Sequence, residues 1–407
     1  PKLEWLQRVR AFAAFYVAAY HAADQMTGPG TDAVRAAFSH GNSGVDLFFV
    51  ISGFIIAHIH SVDVGKPNRL GAYVYRRVTR IYPMYWLLFL AIVPLYFIFP
   101  DVGQSFDRRW QTGLSCFLLF PTPQGQVIGV AWTLVLEMIF YTFFAIAICN
   151  RRIALVLGSV WLVGIIAKGI FAFHFGYYVD TILGARFLGF FAGMAIAAAM
   201  PLIPSRGNRL WPLLAALAVL IAVPLLLQAN DESVTFGARV LIYLACACVV
   251  SISIGLDKAG RSAPRALVSL GDATYSVYLY HWVIGWVFDK VMRHWHLTSA
   301  IPANLYFAVT LVLMIGGAYC VYRFLERPLL AVSAGAWRRW HRPTDLGPRP
   351  GFDMAAHSAR PRGRICILLH DVRGGGAERI MIRLAQNFVE AGRDVDLLLV
   401  NRSGEYV

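Results

Sequence analysis

The sequence is dominated by apolar runs of membrane-spanning length, separated by short loops that carry most of its basic residues. A helix rises about 1.5 Å per residue, so roughly 20 apolar residues cross a hydrocarbon core about 30 Å thick. In lipid, such a run satisfies its backbone polar groups by forming an α-helix. The chain is therefore predicted to be an all-α polytopic membrane protein with about ten transmembrane helices, near residues 9–26, 44–61, 84–100, 128–149, 153–174, 182–200, 210–228, 238–256, 268–290 and 301–323.

The charged residues and the cysteines indicate which kind of membrane protein this is. Of the 407 residues, 58% are hydrophobic and only 15% are charged, yet the formal net charge is +14. Basic residues concentrate in alternate loops, which predicts an inner (cytoplasmic) membrane protein of bacterial type with both termini in the cytoplasm. The positive charge is thereby explained without a nucleic-acid partner. The six cysteines are scattered without metal-ligand or disulfide spacing, so no metal site is predicted.

A titratable residue lies deep in the first run. Arg10 is followed by ten mostly apolar residues and then by His21, which places His21 near the bilayer midplane if Arg10 sits at the membrane edge. An ionisable group at that depth is costly and points to a functional site with a partner. Imidazole titrates nearest neutrality, so we interpret His21 as a general base. The alternative is a histidine that hydrogen-bonds between helices.

Two carboxylates interrupt other runs. Glu137 lies about nine residues into the fourth run and is expected at a depth similar to that of His21, where it needs a cationic or polar neighbour. The alternative is a protonated carboxyl group that bonds to a neighbouring helix. Asp46 begins the second run, where a first-turn carboxylate favoured by the helix dipole is as good an interpretation as catalysis. Ser52 and Gly53 are expected to pack at a close helix crossing.

A second histidine, His281, is also predicted near mid-depth, about eleven residues from the cytoplasmic side. Its aromatic neighbours offer a purely structural explanation. Charged residues near the ends of runs can extend to the interface and receive no predicted role: Lys168, His174 and Asp289.

Arginines cluster before the third run. Arg76, Arg77 and Arg80 precede the segment IYPMYW on the predicted cytoplasmic side. Ordinary positive-inside anchoring explains most clusters of this kind. However, five basic residues between Lys66 and Arg80 exceed what topology requires, and guanidinium forks suit phosphate groups. A cytosolic, polyphosphorylated cosubstrate is therefore expected here.

Together these segments resemble the acyltransferase-3 family of integral membrane O-acyltransferases, from about Leu3 to Pro328. The resemblance rests on motifs in a fixed order: a basic residue separated from His21 by ten residues, GVDLFFVISGFII, the pair Arg77 and Arg80 before IYPMYW, AWTLVLE, LGDATYSVYLYH, and ERP at Glu326–Pro328.

The resemblance implies transfer of an acyl group, usually acetyl, from cytoplasmic acyl-CoA to a hydroxyl of a cell-surface or lipid-linked glycan. His21 would be the base or acyl relay, with Glu137 orienting it and Asp46 secondary. The coenzyme A phosphates would bind Arg77 and Arg80, with Arg76 and Arg10 nearby, and the remaining candidates are His281 and Glu326. The alternatives are acylation of a non-glycan small molecule, or transport by a polytopic carrier.

The C-terminal part differs from the rest of the chain in composition and in its apolar pattern. Residues 331–362 are rich in Arg, Pro and Gly and are predicted to be a cytoplasmic linker. Residues 363–407 have the pattern of one βαβ unit, with strands at 364–370 and 395–400, a glycine turn at 374–376 and a helix at 377–391. This unit resembles the start of a family-4 GT-B glycosyltransferase. A lone unit cannot bury both sheet faces, so we expect an incomplete domain without activity. Its presence favours a carbohydrate acceptor.

Overall fold

The chain folds as two compact units, Pro1–Arg338 and Arg339–Val407. The structure is a computed structural model that describes residues 3–26, 31–98, 109–203, 215, 218, 235–260, 264–298, 301–340, 365–369, 376–390 and 395–399. In the first unit, every regular element among these residues is helical. The prediction of an all-α polytopic membrane protein is confirmed.

Fourteen α-helices occur before residue 341 in the described ranges. They are α1 (Glu4–Asp24), α2 (Asp32–Phe38), α3 (Ser43–His60), α4 (Leu70–Ile98), α5 (Trp110–Phe117), α6 (Trp132–Cys149), α7 (Arg151–Phe171), α8 (Tyr177–Ile182), α9 (Phe187–Ala199), α10 (Phe236–Lys258), α11 (Arg265–Asp272), α12 (Thr274–His294), α13 (Ala303–Val321) and α14 (Arg327–Trp340). A π-helical turn, Tyr322–Glu326, joins α13 to α14.

Seven helical segments in the described ranges are long and apolar enough to cross a membrane. They are Asp32–Asp63, Pro67–Ile98, Gly129–Cys149, Arg151–Phe171, Tyr177–Leu202, Phe236–Lys258 and Ala303–Trp337. Two further helices, α1 and α12, have 21 residues each and are therefore long enough to span, although both carry several polar residues. The predicted run at 210–228 lies outside the described residues except for Ala215 and Ala218.

Helices α1 and α12 pack side by side and run in the same direction. An added Cβ at Gly271, near the end of α11 and just before α12, would lie 2.3 Å from the Gln7 carbonyl oxygen, and one at Gly285 of α12 would lie 2.7 Å from Gln25 Oε1. Between these levels, both helices present further polar residues to the contact. We call the contact between α1 and α12 the α1–α12 seam, and its pairs in ascending order are Arg10 with Thr274, His21 with His281, and Gln25 with Gly285.

Glycines allow α3 and α9 to cross closely. A Cβ at Gly53 would lie 2.2 Å from the carbonyl oxygen of Phe190, and one at Gly193 would lie 2.1 Å from that of Val50. Small residues commonly bring membrane helices together in this way. The packing role predicted for Gly53 is therefore confirmed.

The second unit contains a parallel βαβ arrangement, as the sequence pattern predicts. Strand β1 (Ile365–Leu369) pairs with β2 (Val395–Leu399) in the register Ile365 to Val395, and α15 (Gly376–Glu390) connects them. The predicted linker begins later than expected, because α14 continues to Trp340 and makes residues 331–340 helical. Gly374, Gly375 and residues 341–364 lie outside the described residues.

Candidate active site

A cavity of about 820 Å³ opens among α1, α3, α4, α6, α12 and α14. Four arginines and one glutamate line it: Arg10, Arg76, Arg77, Arg80 and Glu137. Its other walls are largely apolar and aromatic, and include Phe48, Phe49, Leu134 and Tyr275. We refer to the level of the arginines as the Arg80 end. The surplus of positive charge suits an anionic ligand whose remainder is apolar or neutral.

The arginines of α4 differ in how their side chains are used. Arg80 donates from Nη1 to Glu326 Oε1 at 2.6 Å, and Glu326 is fully buried. The other Glu326 oxygen accepts a hydrogen bond of 2.6 Å from Ser276. Arg77 instead faces the Tyr141 ring, 5.6 Å from its centroid, and its buried Nε has no hydrogen-bond partner among the described residues. The side chain of Arg76 is exposed.

Arg10 belongs to the cavity wall and also joins two helices. Its Nη2 donates to Thr274 Oγ1 at 2.7 Å, and its Nη1 donates to Gln7 Oε1 at 3.0 Å. The first of these bonds links α1 to the first residue of α12. Arg10, which begins the motif that ends at His21, therefore lies in the same cavity wall as the arginines predicted to bind phosphate.

Glu137 lies deeper in the same cavity. Its Oε1 accepts a hydrogen bond from the Tyr141 hydroxyl one turn along α6, and a second, of 3.4 Å, from Ser52 Oγ. Ser52 therefore has a polar role that the sequence analysis did not assign to it. In the described part of the chain, neither oxygen of Glu137 contacts a histidine.

An aromatic layer forms the inner end of the cavity. The Tyr278 hydroxyl lies 2.7 Å from the Val130 carbonyl, to which it donates, and 2.6 Å from Thr133 Oγ1. The ring of Phe48 packs edge-on against Tyr278, with centroids 6.2 Å apart. We call Phe48, Thr133 and Tyr278 the Tyr278 layer.

His21 and His281 lie beyond this layer and do not line the cavity described above. Their ring centroids are 5.2 Å apart, and the His281 ring lies 6.1 Å from that of Tyr278. His281 Nδ1 is 2.9 and 2.8 Å from the carbonyl oxygens of Val277 and Tyr278. Carbonyls only accept, so Nδ1 carries a proton and Nε2 is left as the remaining ring nitrogen. That Nε2 is buried and has no hydrogen-bond partner in the described ranges.

The predicted proximity of Glu137 and His21 is not seen. Thr133 and Tyr278 are in contact, and from this level α6 runs towards the Arg80 end whereas α12 runs away from it. Four residues of α6 and three of α12 therefore separate Glu137 from His281 along the bundle by about 10 Å. The structure brings Glu137 to the arginines and brings His21 to His281.

Asp46 takes part in a buried ion pair. Its Oδ1 accepts from Arg239 Nη1 at 3.2 Å and from the Tyr243 hydroxyl at 2.8 Å, which joins the first turn of α3 to α10. Of the two interpretations of Asp46, the first-turn structural one fits these contacts better. Arg239 was missed, although an arginine at the start of an apolar run is itself a signal for an ion pair.

Two further features of the structure were not predicted from the sequence. Leu330, Ser333, Ala334 and Trp337 of α14 line the cavity, and Tyr75 donates to the Ser333 carbonyl at 2.9 Å. Their helical spacing was the available signal, but the arginine-rich composition favoured a linker. Asp289 was expected to extend to the interface, yet it is buried and binds Tyr306 and Arg293.

The fold and this arrangement define a polytopic membrane enzyme, with a cationic cavity on one side of an aromatic layer and a histidine pair on the other. Residues 3–323 match the acyltransferase domain shared by acyltransferase-3 proteins. The chain belongs to the acyltransferase-3 family and is a multi-pass membrane acyltransferase. This assignment favours the enzyme over the transporter alternative.

Curated relatives carry related descriptions. The chain is 31% identical over 310 residues to "Exopolysaccharide production protein ExoZ" of Rhizobium meliloti, covering 72% of this chain and 90% of that protein. It is 24% identical over 394 residues to "Acyltransferase MdmB" of Streptomyces mycarofaciens, covering 88% and 96%. It is also 24% identical to "Putative O-acetyltransferase SACOL0978" of Staphylococcus aureus, covering 82% and 58%. No solved structure matches the chain.

Proposed function

We propose that the protein transfers an acyl group, with acetyl as the simplest case, from acyl-CoA to a hydroxyl of a cell-surface or lipid-linked glycan. The observation that carries this proposal is the cavity that leads from Arg76, Arg77 and Arg80 to a layer directly in front of His21 and His281. A donor with an anionic head and a long neutral arm suits such a cavity.

The charge distribution supports coenzyme A as the donor. Arg76 is exposed, and Arg77 has an unpartnered Nε, so both guanidinium groups are available for phosphate oxygens. Arg80 is committed to Glu326 and shapes the wall. The pantetheine arm would lie along the apolar walls towards the Tyr278 layer, and its thioester would reach His21 when the Tyr278 ring moves aside.

The proposed reaction is a direct transfer. The acceptor oxygen bonds to the thioester carbonyl carbon while His21 removes the hydroxyl proton, and the carbon–sulfur bond breaks. The His21 imidazolium then returns the proton to the coenzyme A thiolate. The products are an ester of the glycan and coenzyme A, with His21 restored.

Loop charges and the descriptions of relatives support the sidedness and the acceptor. The basic loops favour a cytoplasmic position for the Arg80 end, where acyl-CoA is made, with the far ends of α1 and α12 towards the other side. One relative is described as an exopolysaccharide production protein and another as a putative O-acetyltransferase. The first description favours a glycan acceptor, and the second favours an acetyl group as the one transferred to an oxygen atom.

The test is to supply membranes containing the protein with acetyl-labelled acetyl-CoA and measure label in the glycan fraction. H21A is expected to abolish transfer while the protein remains folded and inserted. The matched control is H174A, because the His174 side chain is 85% exposed and lies outside the cavity and the seam. Transfer by H21A at the wild-type rate, or label found in no glycan with wild-type protein, would contradict the proposal.

A further inference from the structure

Three buried polar atoms on the α1–α12 seam have no hydrogen-bond partner among the described residues. They are Gln25 Nε2, Gln25 Oε1 and His281 Nε2. Buried polar atoms are normally paired, because leaving one unpaired costs free energy. Only four other side-chain atoms in the described ranges share this condition, and they belong to four separate residues: Arg8, His60, Arg77 and Gln126.

The three atoms occupy adjacent levels around His21. Gln25, the residue directly after α1, follows His21 by four residues, and its N–H donates to the His21 carbonyl at 3.2 Å. Gly285 follows His281 by four residues on α12, so each pair lies on one helix face. The rings of His21 and His281 are 5.2 Å apart, and the Gln25 amide lies against Gly285. The amide thus sits one helical turn beyond the histidine pair, on the side away from the Arg80 end.

Neighbouring contacts hold these groups in place. Arg293 donates from Nη2 to the backbone carbonyl oxygen of Gln25 at 3.3 Å, and its Nε donates to Asp289 at 2.7 Å. Tyr306 binds the other oxygen of Asp289 at 2.9 Å. The end of α1 is therefore fixed to α12, while the amide of Gln25 keeps its donors and its acceptor unused.

The unused atoms match the chemistry of a saccharide. A primary amide donates and accepts at once, as neighbouring sugar hydroxyls do, and an unprotonated imidazole nitrogen accepts from a hydroxyl. We propose that Gln25 and His281 Nε2 form the binding site for the acceptor saccharide and present one of its hydroxyls to His21. This inference rests on the proposed function and adds the acceptor site to it.

The test separates acceptor binding from donor binding. Wild type and Q25M are purified in detergent and given acetyl-CoA with the octyl β-glycosides of glucose, galactose and mannose as acceptors. Methionine keeps the unbranched shape of glutamine and removes the donors and the acceptor. The acceptor KM of Q25M is expected to rise roughly tenfold, with the acetyl-CoA KM unchanged. Q126M is the control, because Gln126 also has an unpartnered buried oxygen but binds the Phe120 carbonyl, outside the seam.

A purely structural amide predicts a different result. Removing two unpaired polar atoms would then raise the thermal stability of Q25M and leave both KM values unchanged, which would overturn this inference alone. Absence of transfer by wild type to every glycoside would overturn the proposed function together with the inference. If Q25M does not fold, G285A is used in its place, because it displaces the same amide. The acceptor KM and the acetyl-CoA KM of G285A are then compared with those of wild type.

Discussion

Arg80 donates a hydrogen bond of 2.6 Å to Glu326, a carboxylate with 0% exposure that lies 246 residues further along the chain. This pair joins α4 to the π-helical turn that precedes α14. Because α14 supplies part of the cavity wall, the pair fixes the cavity's shape as well as two helices. Arg80 therefore has a structural role in addition to its place in the cavity wall.

The two members of this pair should tolerate removal unequally. R80A leaves Glu326 buried without its counter-charge and is expected to cost about 3–5 kcal/mol of unfolding free energy. E326Q should cost less, because Arg80 is 28% exposed and lines the cavity, where it can be solvated. Thermal unfolding in detergent measures both variants. The double variant R80A/E326Q should recover part of the R80A loss, and equal losses for the two single variants would contradict this account.

Removal of Arg76 or Arg77 should weaken donor binding. Each guanidinium that bonds to a phosphate contributes about 1.5–3 kcal/mol, so R76A and R77A should each raise the KM for acetyl-CoA roughly tenfold or more, with little change in kcat. The control is R69A, because Arg69 is exposed on the same segment and does not line the cavity. An unchanged KM in both variants would remove these residues from the donor site.

The sequence predicted the membrane helices and the residues of the cavity better than it predicted their partners. Apolar length alone identifies spans such as α7 and α10, and the arginine cluster singled out by the sequence lies in the wall of the cavity. One partner of Asp46 is Arg239, 193 residues away, and this pairing depends on which helices meet. Estimating depth from the ends of apolar runs placed Glu137 level with His21, whereas α6 begins at Trp132, near the level of Tyr278.

Replacement of Asp46 should affect stability rather than chemistry. D46N removes the negative charge that the buried Arg239 faces across 3.2 Å and is expected to destabilise the protein by about 3–5 kcal/mol. The double variant D46N/R239Q removes both charges and should recover much of this loss. Measuring thermal unfolding and transfer activity per folded molecule distinguishes the structural interpretation of Asp46 from the catalytic one. A D46N protein of wild-type stability with no activity would restore Asp46 to the catalytic group.

Tyr278 should act as a barrier between the donor cavity and the histidine pair. Y278A removes the ring that lies between them and is expected to raise acetyl-CoA hydrolysis without acceptor several-fold, because water gains access to the thioester. Y278F keeps the ring and loses only the bonds to Val130 and Thr133, so it should hydrolyse less than Y278A. Release of coenzyme A thiol measures the rate, and the barrier role is excluded if Y278A hydrolyses acetyl-CoA no faster than wild type.

Gly285 offers a way to move the Gln25 amide without removing it. A Cβ at position 285 would lie 1.9 Å from the Met314 methyl carbon and 2.7 Å from Gln25 Oε1, so G285A must displace both. Both atoms are the ends of flexible side chains, and the helix backbones can stay in place. We expect a raised KM for the acceptor glycoside, an unchanged KM for acetyl-CoA and a small loss of thermal stability.

The matched control for this substitution is G316A, because a Cβ at Gly316 meets no atom within 4 Å. Alanine there should raise helix stability by up to about 1 kcal/mol and leave both KM values unchanged. If G285A and G316A give the same acceptor KM, the position of the Gln25 amide does not govern acceptor binding. A raised acceptor KM in G285A alone ties acceptor binding to the level of the seam one turn beyond His21.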